Sequence, residues 1–501
     1  MSDVPGGMDG GGRPRVLIVG AGFGGIGMAI ELLRSGFDHI TVLDAAPEPG
    51  GTWHYNDYPG AACDVPSAFY SYSFAQRPDW THFCSPRDEI RAYLQATARD
   101  FGVTPLVVPS TVVRSCTWDD DTAQWSVVAS GPDGAETTYS ADAVVLATGQ
   151  LNQPALPRIE GLDRFEGVAF HSARWNHDYD LTGKRVAVIG TGASAVQFVP
   201  AIAESVGHLS VFQRTGNWFL PRQNKPYSAR RLALFRRLPL TRVLFRFGMY
   251  AYTELLTLMI RHPRSVGLVG RLWSTLFMLG QLRDRTVRRA VWPRYTFGCK
   301  RILFSSKWLP ALQRDNVTVV TDSIAEMTPT GPRTVDGTVH EVDCVIYGTG
   351  FRTTEFMFPM QVTGVRGRAL RDVWADGARA HLGITVPGFP SLFVMYGPNT
   401  NTSGGSIVFF LEAQARYIRQ AVQLQARTRR GVDVRPEVFD ASDRSTQERF
   451  AGTAWLRCDS WYRDGTGRIV TNWPGYMRDY AAATRVLDPD DFALIDPTGT
   501  C

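Results

Sequence analysis

The tightest constraint on this fold is a pattern that occurs twice: an aliphatic run, a glycine turn, then a helix-forming stretch. The first copy starts at Val16–Val19 and runs directly into Gly20-Ala21-Gly22-Phe23-Gly24-Gly25. Residues 26–35 carry helix-forming side chains as far as Gly36, and residues 39–44 return as a second strand ending on Asp44. That strand–turn–helix–strand context is what makes G-x-G-x-x-G informative. Gly20 permits the tight turn, Gly22 lets a pyrophosphate approach the backbone, and Gly25 lets helix and strand pack closely. The phosphates then lie at the positive end of the helix. The second copy runs from residues 184–189 into Gly190-Thr191-Gly192-Ala193-Ser194-Ala195, then through a helix over 195–205 and a strand over 208–213.

The two copies differ at the end of their second strand. Asp44 stands 24 residues after Gly20, and Arg214 stands 24 after Gly190. A carboxylate there can accept hydrogen bonds from ribose hydroxyls, whereas an arginine suits a 2′-phosphate. The first site is therefore expected to take an adenosine with a free ribose, as in FAD, and the second to prefer NADPH over NADH. At 501 residues the chain exceeds one ordinary domain. The reading is an α/β protein with two Rossmann-like dinucleotide-binding domains, for FAD and NADPH, and a helical insertion in the second. Residues 1–14 form a flexible Gly-rich lead, and 15–150 with 351–501 form the FAD-binding domain. Residues 151–221 with 297–350 form the NADPH-binding domain, and 222–296 the helical insertion.

Composition excludes other classes. The net charge of +5 is modest and nothing has the organisation of a nucleic-acid module. Seven cysteines (63, 84, 116, 299, 344, 458 and 501) are scattered, with no CxxC pair and no metal-like cluster. Reduced thiols in the cytoplasm are expected, and a disulfide reductase, which needs a redox dithiol beside its flavin, is excluded. The apolar stretch between 244 and 281 is interrupted by Glu254, Arg261 and Arg271. It falls short of the ~20 apolar residues of a spanning helix, so no transmembrane segment is expected. A buried or a membrane-surface helix pair both remain open; packing on the parent domain is the simpler account. Oligomeric state is not legible.

Two nucleotide units do not specify a reaction. Between them lies Phe165-x-Gly167-x-x-x-His171-x-x-x-Trp175, which by itself reads as a turn-rich connector. Its spacing resembles the signature of the Baeyer–Villiger monooxygenases, within the flavin-containing monooxygenase superfamily. The resemblance extends through Gly50–Trp53, Tyr58–Asp64, Tyr70–Phe74, Val144–Pro154, Gly298–Leu303, Val345–Phe351 and Leu392–Asn399. Asn176 follows the motif where the family usually has Pro or Asp, Ala62 replaces a larger side chain, and Gly348 replaces Ala.

The resemblance implies insertion of one oxygen atom of O2 next to a ketone carbonyl, through a flavin C4a-peroxide, giving an ester or lactone. It places FAD against Gly20, Gly22, Phe23, Gly25, Asp44, Gly51, Thr52, Trp53, Asp64, Tyr70 and Val113. It places NADPH against Ala62, Cys63, Asp64, Gly190, Thr191, Gly192, Ser194, Ala195, Gln197, Arg214, Thr215, Lys300 and Arg301. The family pattern pairs Asp64 with Arg301, an always-charged donor suited to an oxyanion. Phe165, Gly167, His171 and Trp175 lie at the domain join; that position suits His171 to helping swing the nicotinamide domain, and a packed turn histidine is the other reading. Loops 458–462 and 471–475 resemble a C-terminal active-site loop. A nitrogen- or sulfur-oxygenating flavin monooxygenase uses the same cofactors, and a non-catalytic FAD/NADP-binding sensor would make Arg301 dispensable.

Overall fold

The computed structural model describes residues 13–222, 224–402 and 404–497; most of the Gly-rich lead and Cys501 lie outside them. Strand β1 (Val16–Val19) is buried along its whole length, as its aliphatic sequence requires of a strand covered on both faces. It turns into α1 (Phe23–Arg34), and β2 (Ile40–Leu43) returns parallel to it. A short helix α2 (Thr52–Tyr55) and the longer α3 (Arg87–Asp100) precede β3 (Val107–Val108), which pairs with β2. An antiparallel meander, β4 (Val112–Asp119), β5 (Gln124–Ser130) and β6 (Glu136–Ala141), then leads into β7 (Ala143–Leu146), parallel to β1 on its other side.

The second glycine unit repeats this plan. β8 (Val168–His171) precedes β9 (Arg185–Ile189), α4 (Ala193–Ile202) and β10 (His208–Phe212), with β9 and β10 parallel. The chain then leaves through β11 (Phe219–Leu220) into four helices. These are α5 (Ala229–Arg237), α6 (Pro239–Arg261), α7 (Val266–Gln281) and α8 (Arg285–Val291). It re-enters beside its exit point through β12 (Leu303–Phe304), parallel to β11. β13 (Val317–Val320), the hairpin of β14 (Ile324–Thr328) and β15 (Gly331–Thr334), and β16 (Cys344–Tyr347) follow. β17 (Gln361–Thr363) joins the meander, and β18 (Leu392–Val394) returns to the first sheet beside β7. The two parallel sheets have orders β18-β7-β1-β2-β3 and β13-β10-β9-β16-β8, so the fold is α/β with two Rossmann-like units.

Three expectations are corrected. The stretch 165–175 is more than a connector: Val168–His171 is an edge strand, because β16 pairs with it residue for residue from Cys344↔Val168 to Tyr347↔His171. That partner lies some 175 residues away and leaves no local signal. Second, α6 is one unbroken helix of 23 residues, long and apolar enough by length and composition to cross a membrane. Third, α6 and α7 do not bury most of their apolar side chains on the parent domain; Leu240, Val243, Leu244 and Phe247 are all more than 60% exposed. Burial is concentrated at the C-terminal end of α6, at Thr253, Leu256, Thr257, Met259 and Ile260.

Cysteine chemistry also departs from the expectation. Cys299 and Cys458 form a disulfide across 159 residues, whereas Cys63, Cys84, Cys116 and Cys344 are buried free thiols. The pairing is a product of tertiary approach between loops that share no sequence motif.

Candidate active site

Each glycine turn presents an uncapped helix N-terminus. Gly20 and Gly190 adopt φ of +107° and +109°, a region that penalises any side chain. Gly22 and Gly192 stand at the N-caps of α1 and α4, with no side chain capping either helix. Those first-turn N–H groups and the helix dipole are what a pyrophosphate uses. Gly51 (φ +54°) comes so near the first turn that a Cβ there would sit 2.8 Å from the Gly22 Cα. This glycine-only slot fits the backbone contact a dinucleotide needs. Phe23 is buried beside Tyr70 (ring centroids 5.1 Å), and Tyr70 is edge-on to Trp53 (5.7 Å). Thr52, at the start of α2, is exposed.

Asp44 ends β2 as the spacing requires, and it is buried. Its carboxylate accepts the Ala21 N–H of the glycine turn and the Ala46 N–H, the latter at 2.7 Å. Burial raises its pKa, and the two backbone donors oppose that shift without cancelling it. Asp44 thereby shapes the turn itself. Val113 lies further along, nearly buried on β4 and paired with Ala129 of β5.

In the second unit Arg214 is exposed just beyond β10. Lys300 approaches it from the other end of the insertion, with its ammonium 5.0 Å from the Tyr295 ring centroid. The Lys300 pKa is lowered, first by burial and then by the Arg214 charge, with Asp459 opposing. Two cations that disfavour one another are a fit for a dianionic 2′-phosphate. Thr191 is buried and its carbonyl accepts from Asn217 Nδ2 at 2.9 Å, while Ser194 and Ala195 open α4. Thr215 follows Arg214 in the same loop.

Gln197 bridges the two units. Its Oε1 accepts from the Tyr58 hydroxyl and the Ala62 N–H, both at 3.1 Å, and its Nε2 donates to the Ala62 carbonyl at 2.8 Å. It clasps loop 58–62 of the first unit to α4 of the second. Cys63 is buried, with its N–H donating to the Ser85 carbonyl at 3.1 Å and its carbonyl accepting from Arg222. Burial drives the Cys63 thiol well above its usual range and the Cys84 thiol up to about 12, so neither is a thiolate nucleophile at neutral pH.

Beyond the clasp, Asp64 meets Arg301. Arg301 Nη2 donates to Asp64 Oδ2 at 2.6 Å, across 237 residues of sequence. Both line a cavity of about 640 Å³ whose other walls include Val65, Phe83, Tyr227, Leu256, Ile302 and Phe304. Burial pushes the Asp64 pKa up, but the Arg301 charge and hydrogen bond, with Arg222, outweigh it and hold the carboxyl below its usual range. The Asp64 charge in turn raises the Arg301 pKa further, so the guanidinium never titrates in use. Sequence reading missed one neighbour: Arg222, two residues beyond β11, carries no spacing signal. Tyr396 and Tyr462, from segments 392–399 and 458–462 that the resemblance includes, reach the field of Arg301. Tyr396 is pushed up to about 12 by burial, and its hydroxyl donates to Asn401 at 3.0 Å. Asn401 and Asn399 in turn bond Asn472, which fixes loop 396–401 to loop 469–473. Trp473 is buried, its indole donating to the Tyr476 carbonyl at 3.1 Å, while Trp461 stays partly exposed.

The signature residues lie apart from this pair. Gly167 allows the chain to pass the Asp343 carbonyl, which a Cβ would approach to 2.8 Å, and Phe165 packs under the second sheet. Trp175 sits edge-on to Phe170 (5.1 Å) and Phe198 (5.3 Å). His171 is buried, its Nδ1 accepting the Ala173 N–H at 3.1 Å, and its ring faces Phe351 where the chain leaves the second sheet. Burial lowers its pKa to about 4, more than the Gly350 backbone raises it, so it is neutral at working pH.

The profile of flavin-binding monooxygenase-like proteins matches residues 13–240. A Baeyer–Villiger monooxygenase of Streptomyces coelicolor is 40% identical over 490 residues, covering 96% of this chain and 93% of the relative. Another, from Pseudomonas aeruginosa, is 40% identical over 485 residues, covering 96% and 91%. Among solved structures, an oxidized steroid monooxygenase bound to NADP superposes with a TM-score of 0.84 at 28% identity, covering 97% of this chain and 99% of its own.

Proposed function

This chain belongs to the Baeyer–Villiger monooxygenases, within the flavin-binding monooxygenase-like proteins, and from that premise we propose how its own residues carry the reaction. It is an FAD- and NADPH-dependent enzyme that inserts one oxygen atom of O2 beside a ketone carbonyl to give an ester or lactone. When bound, the two cofactors supply the hydride and the activation of O2; the protein supplies position and field.

FAD would lie against the first glycine turn, with Gly51, Thr52 and Trp53 behind it and Asp44 within reach of its ribose. NADPH would lie against Gly190–Ala195, with Arg214, Thr215 and Lys300 around its 2′-phosphate. Residues 15–150 with 351–501 serve as the FAD unit, 151–221 with 297–350 as the NADPH unit, and 222–296 as a wall of the substrate cavity. Gln197 would border the nucleotide site and also keeps the two units in register.

At the reacting centre Arg301 offers fixed N–H donors to the carbonyl oxygen as it takes on negative charge. Asp64 aims the guanidinium through the 2.6 Å bond from Nη2, and Arg222 helps keep Asp64 ionised. His171, neutral and away from this pair, acts at the exit of the second sheet, where it would steady the swing between cofactor poses. The apolar walls suit a ketone with a hydrocarbon body.

The Asp64–Arg301 pair on the cavity wall is the observation that carries this reading. The test is aerobic incubation of the flavin-loaded enzyme with NADPH and a panel of apolar ketones, with products identified by mass. A gain of one oxygen in a product that hydrolyses to acid plus alcohol is expected. Oxidation of amines or sulfides with no ester from any ketone would overturn it.

A further inference from the structure

The insertion helices turn one side to the cavity and another to solvent. Met249, Tyr252, Thr253 and Leu256 of α6 line the cavity, as does Trp273 of α7. On α6 the exposed side chains Leu240, Val243, Leu244 and Phe247 recur at helical spacing, 61–67% exposed. On α7 Val269, Leu272, Leu276 and Leu279 do the same, 45–61% exposed. Leu234 and Leu238, in and just after α5, are exposed too. Exposed apolar stripes on neighbouring helices are uncommon on a protein that meets only water.

Charge says what would cover them. Between residues 222 and 281 eleven lysines and arginines stand against one carboxylate, Glu254. Glu254 is half-buried and accepts the Arg478 N–H at 3.2 Å, so it is turned to the protein. Arg230, Arg236, Arg237, Arg264 and Arg271 are exposed. A second copy of the chain meeting this face about a two-fold axis would set arginines against arginines with no carboxylate from these helices to pair them. An anionic lipid surface supplies the missing charge and the apolar medium together.

The tethers of α6 to the fold would hold it along such a surface and not across it. Arg246 Nη1 of α6 donates to the Ala68 and Ser71 carbonyls at 2.6 and 3.0 Å, and Arg242 Nη1 to the Gln76 carbonyl at 3.3 Å. With its C-terminal end buried, α6 is fixed to the fold at both ends. Trp273 belongs to both the cavity wall and the exposed side of α7, and Lys225, Pro226 and Ser228 of the cavity rim are exposed as well.

We propose that the apolar stripes of α6 and α7, with the arginines around them, dock the enzyme on an anionic phospholipid bilayer, with the cavity rim at the lipid surface. This docking stands on the surface alone and does not depend on which ketone the cavity takes. Flavin-loaded full-length enzyme is floated with vesicles of phosphatidylglycerol and phosphatidylcholine, and with vesicles of phosphatidylcholine alone. Binding to the anionic vesicles is expected, weakened by salt and reduced roughly tenfold or more in L244E/F247E and in R236E/R237E. Flavin absorbance and thermal melting check that each pair is folded, and the arginine pair keeps the test decisive if the apolar pair is not. The proposal is overturned if wild-type protein does not float with anionic vesicles at low salt, or if folded variants float as well as wild type. It also fails if light scattering without lipid shows a dimer that L244E/F247E separates.

Discussion

Replacing Arg301 by alanine separates the work of this protein from the work of its cofactors. Arg301 contacts Asp64 through Nη2 at 2.6 Å, and its side chain is 35% exposed, the open part facing the cavity. Removing a fixed donor aimed at a developing oxyanion costs on the order of 3–4 kcal/mol, or about 10²–10³ in kcat. The fold should tolerate the change, because Asp64 keeps Arg222 as a second positive neighbour. NADPH-driven bleaching of the flavin, followed anaerobically by stopped flow, is expected to proceed near the wild-type rate. Ester formed per NADPH oxidised, read by gas chromatography, is expected to fall by two orders of magnitude or more. Arg301→Lys should recover only a small part, since an ammonium keeps the charge but not the planar fork. Undiminished ester yield from Arg301→Ala would refute the assignment. Loss of flavin reduction in step with ester would show instead that Arg301 serves hydride transfer alone.

Four further outcomes follow from the geometry. Arg214→Ala should raise the KM for NADPH about tenfold, the worth of one charge-assisted contact, with little change for NADH; equal losses for both would remove the 2′-phosphate contact. Asp64→Asn tests the ion pair through pH: the folded carboxyl sits below its usual range, so its stabilisation is present above ~3.9 and is lost as pH falls through the depressed value. The melting gap between wild type and Asp64→Asn should therefore be full at neutral pH and close in acid; a gap that widens on acidification would contradict it. Gln197→Ala removes three hydrogen bonds between the units and should cost about 1–3 kcal/mol in chemical denaturation; an unchanged midpoint would make the clasp incidental. His171→Ala should slow flavin bleaching several-fold without altering its pH dependence between 5 and 9, because the imidazole is already neutral there; a wild-type rate would leave His171 a packing residue.

Much of this molecule is legible in short stretches of sequence, and the reason is local. A tight turn that exposes a helix N-terminus needs glycine at fixed offsets, so Gly20, Gly22, Gly190 and Gly192 announce both parallel units. A strand buried on both faces has to be aliphatic, so Val16–Val19 and Cys344–Tyr347 stand out as strands. Asp44 and Arg214 follow because the distance from turn to strand end is fixed by one helix and one strand. Contacts between distant segments left no such trace. Residues 165–175 contain a strand only because Cys344–Tyr347 pairs with it, and Cys299 meets Cys458 only because two loops converge. Resemblance suggested Asp64 beside Arg301, yet the third charge, Arg222, and the turning of Gln197 towards Ala62 came from packing. The exposure of α6 and α7 was decided in the same way: hydropathy counts apolar side chains, but only the assembled fold determines which of them find a neighbour and which are left facing outward.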